Sequence, residues 1–79
     1  MVVFGGFTFG QRTAEIFRFY FTTNTWVRVE IKDGSPCPCE RAGHSGVMRG
    51  DVMYVFGGKN DENKKLNDTW KFNFSDKTW

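Results

Sequence analysis

Two cysteines and a single histidine hold most of the reactive chemistry in this chain. Cys37 and Cys39 flank Pro38, and His44 follows. Thiolate and imidazole suit zinc, which takes four ligands in a structural site. Here there are three, irregularly spaced, and a partner chain would have to supply the fourth. The plainer reading is two free thiols in a Pro-containing connection, with the His44 ring hydrogen-bonded near the start of a strand. Cys37 and Cys39 are also too close for an unstrained disulfide. His44 beside Ser45 or Cys37 pairs a base with a nucleophile. Nothing specifies an orienting acid or an oxyanion hole. The expectation is no catalytic residue, no metal and no cofactor.

Other motifs have similarly plain readings. Phe4-Gly5-Gly6-Phe7-Thr8-Phe9-Gly10 looks like a nucleotide loop, yet no helix pattern and no Gly-Lys-Ser/Thr follows it. The doublets Gly5-Gly6 and Gly57-Gly58 are better explained by positive φ or close backbone approach at a strand end. Arg49-Gly50-Asp51 matches an adhesion tripeptide but sits where a hairpin needs Gly-Asp. Asn67-Asp68-Thr69 and Asn73-Phe74-Ser75 match the glycosylation sequon, and both are expected to be idle. The run from Lys59 to Lys65 mixes both signs of charge and reads as a solvated loop.

The elements that position these residues must fit into 79 residues. A chain this size buries only about 60% of the surface its unfolded form exposes, which excludes a two-lobed enzyme. Eleven Lys and Arg against nine Asp and Glu leave a net charge of +2, too little for a nucleic-acid stripe. Aromatic strands with Lys and Arg could suggest an RNA-stacking sheet, but these aromatics are accounted for as core. No run approaches the roughly 20 apolar residues of a membrane span. The first residues lack the features of a signal peptide. Cytoplasm, or the nucleus, is the expected compartment, with no nucleic acid and no membrane as partner. The chain opens within an apolar run and stops on Trp79, so a fragment is expected.

The chain repeats itself. MVVFGG at 1–6 returns as MYVFGG at 53–58, an offset of 52 with five of six residues identical. EIFRFYFTTNTW at 15–26 returns as DTWKFNFSDKTW at 68–79, an offset of 53. One inserted residue between the blocks reconciles the offsets, and it falls in the segments 7–14 and 59–67. Both segments are expected to be loops, which tolerate insertion. Trp70, Phe72 and Phe74 alternate with Lys71 and Asn73, as Phe17, Phe19 and Phe21 do in the first copy. This period of two marks strands with one buried face. Val52–Phe56 is a short apolar run, expected of a strand covered on both faces. No segment sustains helical periodicity. Strands are expected at 43–49, 52–57, 68–74 and, in the preceding copy, 26–31. Each unit is then a four-stranded antiparallel meander that must stack on neighbours.

Arg41-Ala42-Gly43-His44-Ser45-Gly46, Met53-Tyr54-Val55-Phe56-Gly57-Gly58, Leu66-Asn67-Asp68-Thr69-Trp70 and finally Trp79 resemble the kelch repeat. Gly5, Gly6 and Trp26 carry the same pattern in the first copy. The resemblance covers about one and three-quarter repeats. It implies an all-β fold, a partial β-propeller of antiparallel four-stranded kelch blades. The first repeat spans 1–31, a connection 32–42, and the second repeat 43–79. The first copy lacks its first strand and the second its last. A ring of 4–8 blades needs about 200 residues or more, so the remaining blades are themselves expected partners. Uncovered faces should leave Val2, Phe4, Val55 and Phe56 partly wet.

By the same resemblance, the chain is expected to be a protein–protein interaction module or scaffold, and no enzyme. Substrate recruitment for a ubiquitin ligase is one use within the family. The alternative is a piece of a propeller enzyme whose active site lies in other blades. A meander sends alternate connections to opposite faces. One face carries the short turns at Thr22–Thr25, Gly50-Asp51 and Ser75–Thr78. The other carries the segments at 7–14, 32–42 and 59–67. Long segments on a rigid scaffold concentrate recognition residues. Phe7, Phe9, Arg12, Arg41, Lys59, Lys64 and Lys65 are the candidate contacts for a protein partner.

Overall fold

The structure is a computed structural model and describes residues 1–8 and 10–79. Six strands form two antiparallel three-stranded sheets, with no helix among the described residues. The first sheet contains β1 (Val2–Thr8), β2 (Gln11–Tyr20) and β3 (Thr25–Val29). The second contains β4 (Ser45–Arg49), β5 (Val52–Lys59) and β6 (Lys65–Asn73). Each sheet is a meander whose spatial order follows the sequence. Two antiparallel meanders facing each other are the arrangement expected of a partial propeller. The Asn73–Thr78 bridge starts the next turn of chain beside β6.

The glycine doublets do not end their strands. Between Phe4 and Gly6 the register with β2 shifts, and the same shift recurs between Phe56 and Gly58 against β6. Gly5 (φ 67°) and Gly57 (φ 69°) occupy the left-handed region. This is the signature of a glycine bulge, which bends a strand without stopping it. The segment 7–14, expected as a loop, is therefore mostly strand, and the segment 59–67 is strand at Lys59 and from Lys65 on, with the loop confined to 60–64. Phe7 pairs with Arg12, Thr8 with Gln11, and Lys59 with Lys65. The inserted residue falls in the hairpin end at 60–64.

The core lies between the sheets. Phe4 and Ile16 from the first meet Met53, Val55 and Phe72 from the second, all buried. Full burial of one such side chain stabilises by about 1.5–3 kcal/mol. Trp79 closes the layer edge-on to Phe4, Phe72 and Trp70, at centroid distances of 4.9, 5.2 and 6.1 Å. Its backbone N–H donates to Ser35 Oγ at 3.0 Å. Arg18 reaches across and stacks on Phe74. Two expectations are corrected here. Phe4 and Val55 are dry because the two sheets cover one another. Val52–Phe56 is covered on one face only, since Tyr54 and Phe56 are exposed. Strand alternation sends these two to the face opposite Met53 and Val55.

Candidate functional site

The chain entering β4 runs between two hairpins and is bonded to both. The Arg41 N–H donates to the Thr13 carbonyl, and the Gly6 N–H donates to the Arg41 carbonyl at 2.8 Å. On the other side, Ala42 and Lys59 exchange backbone bonds of 3.0 and 2.9 Å. This seam locks the β1–β2 hairpin to the β5–β6 hairpin. It needs the glycines. A Cβ on Gly58 would lie 2.8 Å from the Ala42 carbonyl oxygen, and one on Gly5 would lie 2.8 Å from that of Arg41.

Arg41 is fully buried beneath the seam. Its guanidinium grips both Asp68 carboxylate oxygens, at 2.7 and 2.9 Å. Nη1 also donates to the Gly57 carbonyl, Nε to the Cys39 carbonyl, and Nη2 to Cys39 Sγ. All five guanidinium donors are thus used inside the protein. The expected role of Arg41 at a partner surface is therefore corrected: it is a structural clamp. Asp68 also accepts from the Trp70 indole at 2.8 Å. The Arg41 hydrogen bonds hold the Asp68 carboxyl at about 2, helped by Trp70 and opposed by burial. The same hydrogen bond raises the Arg41 pKa. Desolvation pushes the Cys37 thiol up.

Above the seam, Arg12, Lys59 and Lys65 line one concavity of about 470 Å³ with Ala42, Gly43, Gly58 and Leu66. Lys59 and Lys65 are direct cross-strand partners. Like charges placed opposite each other destabilise a hairpin. At the corresponding place in the first sheet, Arg12 faces Phe7, with its guanidinium carbon 5.5 Å from the ring centre. Arg12 is tied to the neighbouring hairpin. Its backbone N–H donates to Asp61 Oδ1 at 2.9 Å, and its Nη2 donates to Asn63 Oδ1 at 3.3 Å. Its Nε is buried without a hydrogen-bond partner among the described residues. Phe7 and Lys64 are exposed near the same end. Phe9 lies outside the described residues. Arg12 Nη1 also lies 3.7 Å from Asp61 Oδ1, so Lys59 and Lys65 are the cations of this hollow without an acidic partner among the described residues, and they form a place where carboxylate or phosphate oxygens would be welcome.

The remaining candidates fall into structural places. His44 packs edge-on to Phe4 at 5.3 Å, and its Nδ1 has no hydrogen-bond partner among the described residues. Packing positions the ring, contrary to the expected hydrogen bond. Cys37 and Cys39 are exposed free thiols, and the described residues hold no metal-ligand cluster. Arg49-Gly50-Asp51 forms the β4–β5 turn, with Gly50 at φ 58°. The Asn73 carboxamide accepts from the Ser75 and Asp76 N–H groups, so a turn occupies it. Trp26 is exposed and stacks on Phe19. Sequence reasoning did not single out Asp68 as the partner of Arg41. The only available signal was an acid recurring at Glu15 and Asp68 before an aromatic strand.

The KLHDC2/KLHL20/DRC7 Kelch-repeats domain matches residues 1–79. Among curated proteins, the chain is 34% identical, over its whole length, to a tRNA wybutosine-synthesizing protein 2/3/4 of Arabidopsis thaliana, covering 8% of that protein. It is 35% identical to Host cell factor of Drosophila melanogaster over 89% of this chain and 5% of that one. It is 32% identical to human Leucine-zipper-like transcriptional regulator 1 over its full length, covering 10% of that protein. The chain thus spans a tenth or less of the length of these relatives.

Proposed function

The chain belongs to the kelch-repeat family, and we propose that it is a protein-interaction module that takes an acidic segment of its partner on the hairpin face. The family match and kelch-type relatives support the coarser part, a module for protein interaction. The site rests on one observation: Arg12, Lys59 and Lys65 share a concavity, with Lys59 and Lys65 paired like-to-like. An arrangement that costs hairpin stability is explained if a ligand's anionic group sits between the cations. Phe7 and Lys64 flank the hollow as secondary contacts. The module itself is non-catalytic in this reading. It would hold a partner while other parts of a longer protein act on it, as a ubiquitin-ligase adaptor does.

Peptides selected from a random displayed library against this chain test the reading. They should be rich in Asp and Glu. Arg12→Ala with Lys65→Ala should weaken them at least about tenfold, since each charge-assisted hydrogen bond contributes about 1.5–3 kcal/mol. Neutral or basic selected peptides, or unchanged affinity in the double variant, would refute it.

A further inference from the structure

The cysteines of the connection into β4 have no part in the reading above, yet Cys37 and Cys39 are both free and exposed. Contacts on both sides of them come from this chain. Upstream, Ser35 Oγ accepts from the Trp79 N–H, and downstream Arg41 joins the seam between the hairpins. Pro38, buried between the two cysteines, fixes the backbone there. The buried Arg41 guanidinium touches Cys39 twice, Nη2 donating to Sγ at 3.4 Å and Nε to the carbonyl at 3.1 Å. A fixed cation against an accessible sulfur is the setting of a reactive cysteine. Cys37 is different. Desolvation holds its thiol above the ordinary value, which makes it the slower of the two to meet an oxidant.

We propose that Cys37 and Cys39 form a reversible, peroxide-responsive pair that loosens the Arg41 clamp when it closes. The Cys39 thiolate sulfur attacks an oxygen of hydrogen peroxide, the O–O bond breaks, and the departing hydroxide takes up the thiol's proton as water. Cys39 is then a sulfenic acid. The Cys37 sulfur attacks it, an S–S bond forms, the S–O bond breaks, and a second water leaves with the Cys37 proton. The two thiols lose two electrons, and the peroxide gains them. The ring so closed spans only Cys37 to Cys39 and is strained. A strained disulfide is readily returned to thiols by a dithiol reductant, as a switch requires. Closing it takes the Cys39 sulfur away from Arg41 and strains the Cys39 backbone, whose carbonyl Nε grips. Arg41 also makes the seam's backbone bonds to Thr13 and Gly6. Oxidation therefore acts on the joint between the two hairpins. This inference does not depend on the acidic-partner reading.

Limiting hydrogen peroxide, followed by mass spectrometry and amide hydrogen exchange, tests it on the chain and on Cys37→Ser and Cys39→Ser. Circular dichroism checks the variants, and if one misfolds the parent's own mass and exchange still decide. The parent should lose two hydrogens within the tryptic peptide 33–41, which carries both cysteines, and a dithiol should restore them. Dimedone, a sulfenic-acid probe, should label Cys39 in Cys37→Ser at least about tenfold faster than it labels Cys37 in Cys39→Ser. In the oxidised parent, amide exchange at Gly6, Arg41, Ala42 and Lys59 should quicken at least about threefold, the scale of one weakened hydrogen bond, and return on reduction. Disulfides formed only between chains, oxygen retained on Cys39 with Cys37 free, or equal labelling of the two cysteines would overturn the pair. Ring closure that leaves those four amides unchanged would overturn its hold on the clamp.

Discussion

A methyl group on Gly58 would lie 2.8 Å from the Ala42 carbonyl oxygen, at a backbone φ of 97°. Gly50 has φ 58° and open space around it. Gly58→Ala should therefore cost about 2–4 kcal/mol, from backbone strain and a displaced seam, and Gly50→Ala about 1 kcal/mol. Urea midpoints compare them, and equal midpoints would contradict the seam's tightness. The Arg41–Asp68 clamp makes a second prediction. The folded pKa of Asp68, about 2, lies below the unfolded value of about 3.9. Its contribution is complete above the unfolded value and is lost as pH falls through the folded one. Asp68→Asn should lower stability at pH 7 by about 2 kcal/mol. That figure discounts the usual loss from a broken buried pair because 40% of the Asp68 side chain is exposed. The variant should also lose less than the parent between pH 5 and pH 2, read by thermal melts. Equal acid sensitivity would show that the clamp is not the acid-labile contact.

The hairpin ends are the elements where structure and function pull against each other. Lys59 and Lys65 face each other across β5 and β6. Lys65→Glu would turn a repulsive pair into an attractive one, worth about 0.2–1 kcal/mol to the hairpin. The variant should melt slightly higher and lose acidic peptides. A variant that melts lower, or that binds unchanged, would separate the lysine pair from recognition. The strands were legible from their period of two, because each buries one face. The hairpin extensions were not. Gly57 and Gly58 read as a stop because glycine weakens strands, whereas positive φ at Gly57 builds a bulge that carries β5 on to Lys59. Arg41 looked like a surface cation for a related reason. Its carboxylate partner stands 27 residues away, and no local spacing reports a clamp of that range.

At the scale of the molecule, the repeat predicted two stacked sheets, and it also explains which residues stay wet. Each face of a repeat is made for a neighbour, so only the faces turned toward each other are dry. The bonded hairpins and the seam place Arg12, Lys59 and Lys65 at one end of both sheets. The short turns at Thr22–Thr25, Gly50-Asp51 and Ser75–Thr78 occupy the other end. Asn24 (φ 53°) and Lys77 (φ 59°) repeat one turn geometry there. Amide chemical-shift mapping with a selected acidic peptide tests the central claim most directly. The account predicts shifts clustered at residues 6–13, 42–43 and 58–66, with the residues of the short turns unmoved. Shifts clustered at Thr22–Thr25, Gly50-Asp51 and Ser75–Thr78 would place recognition on the opposite face and contradict it.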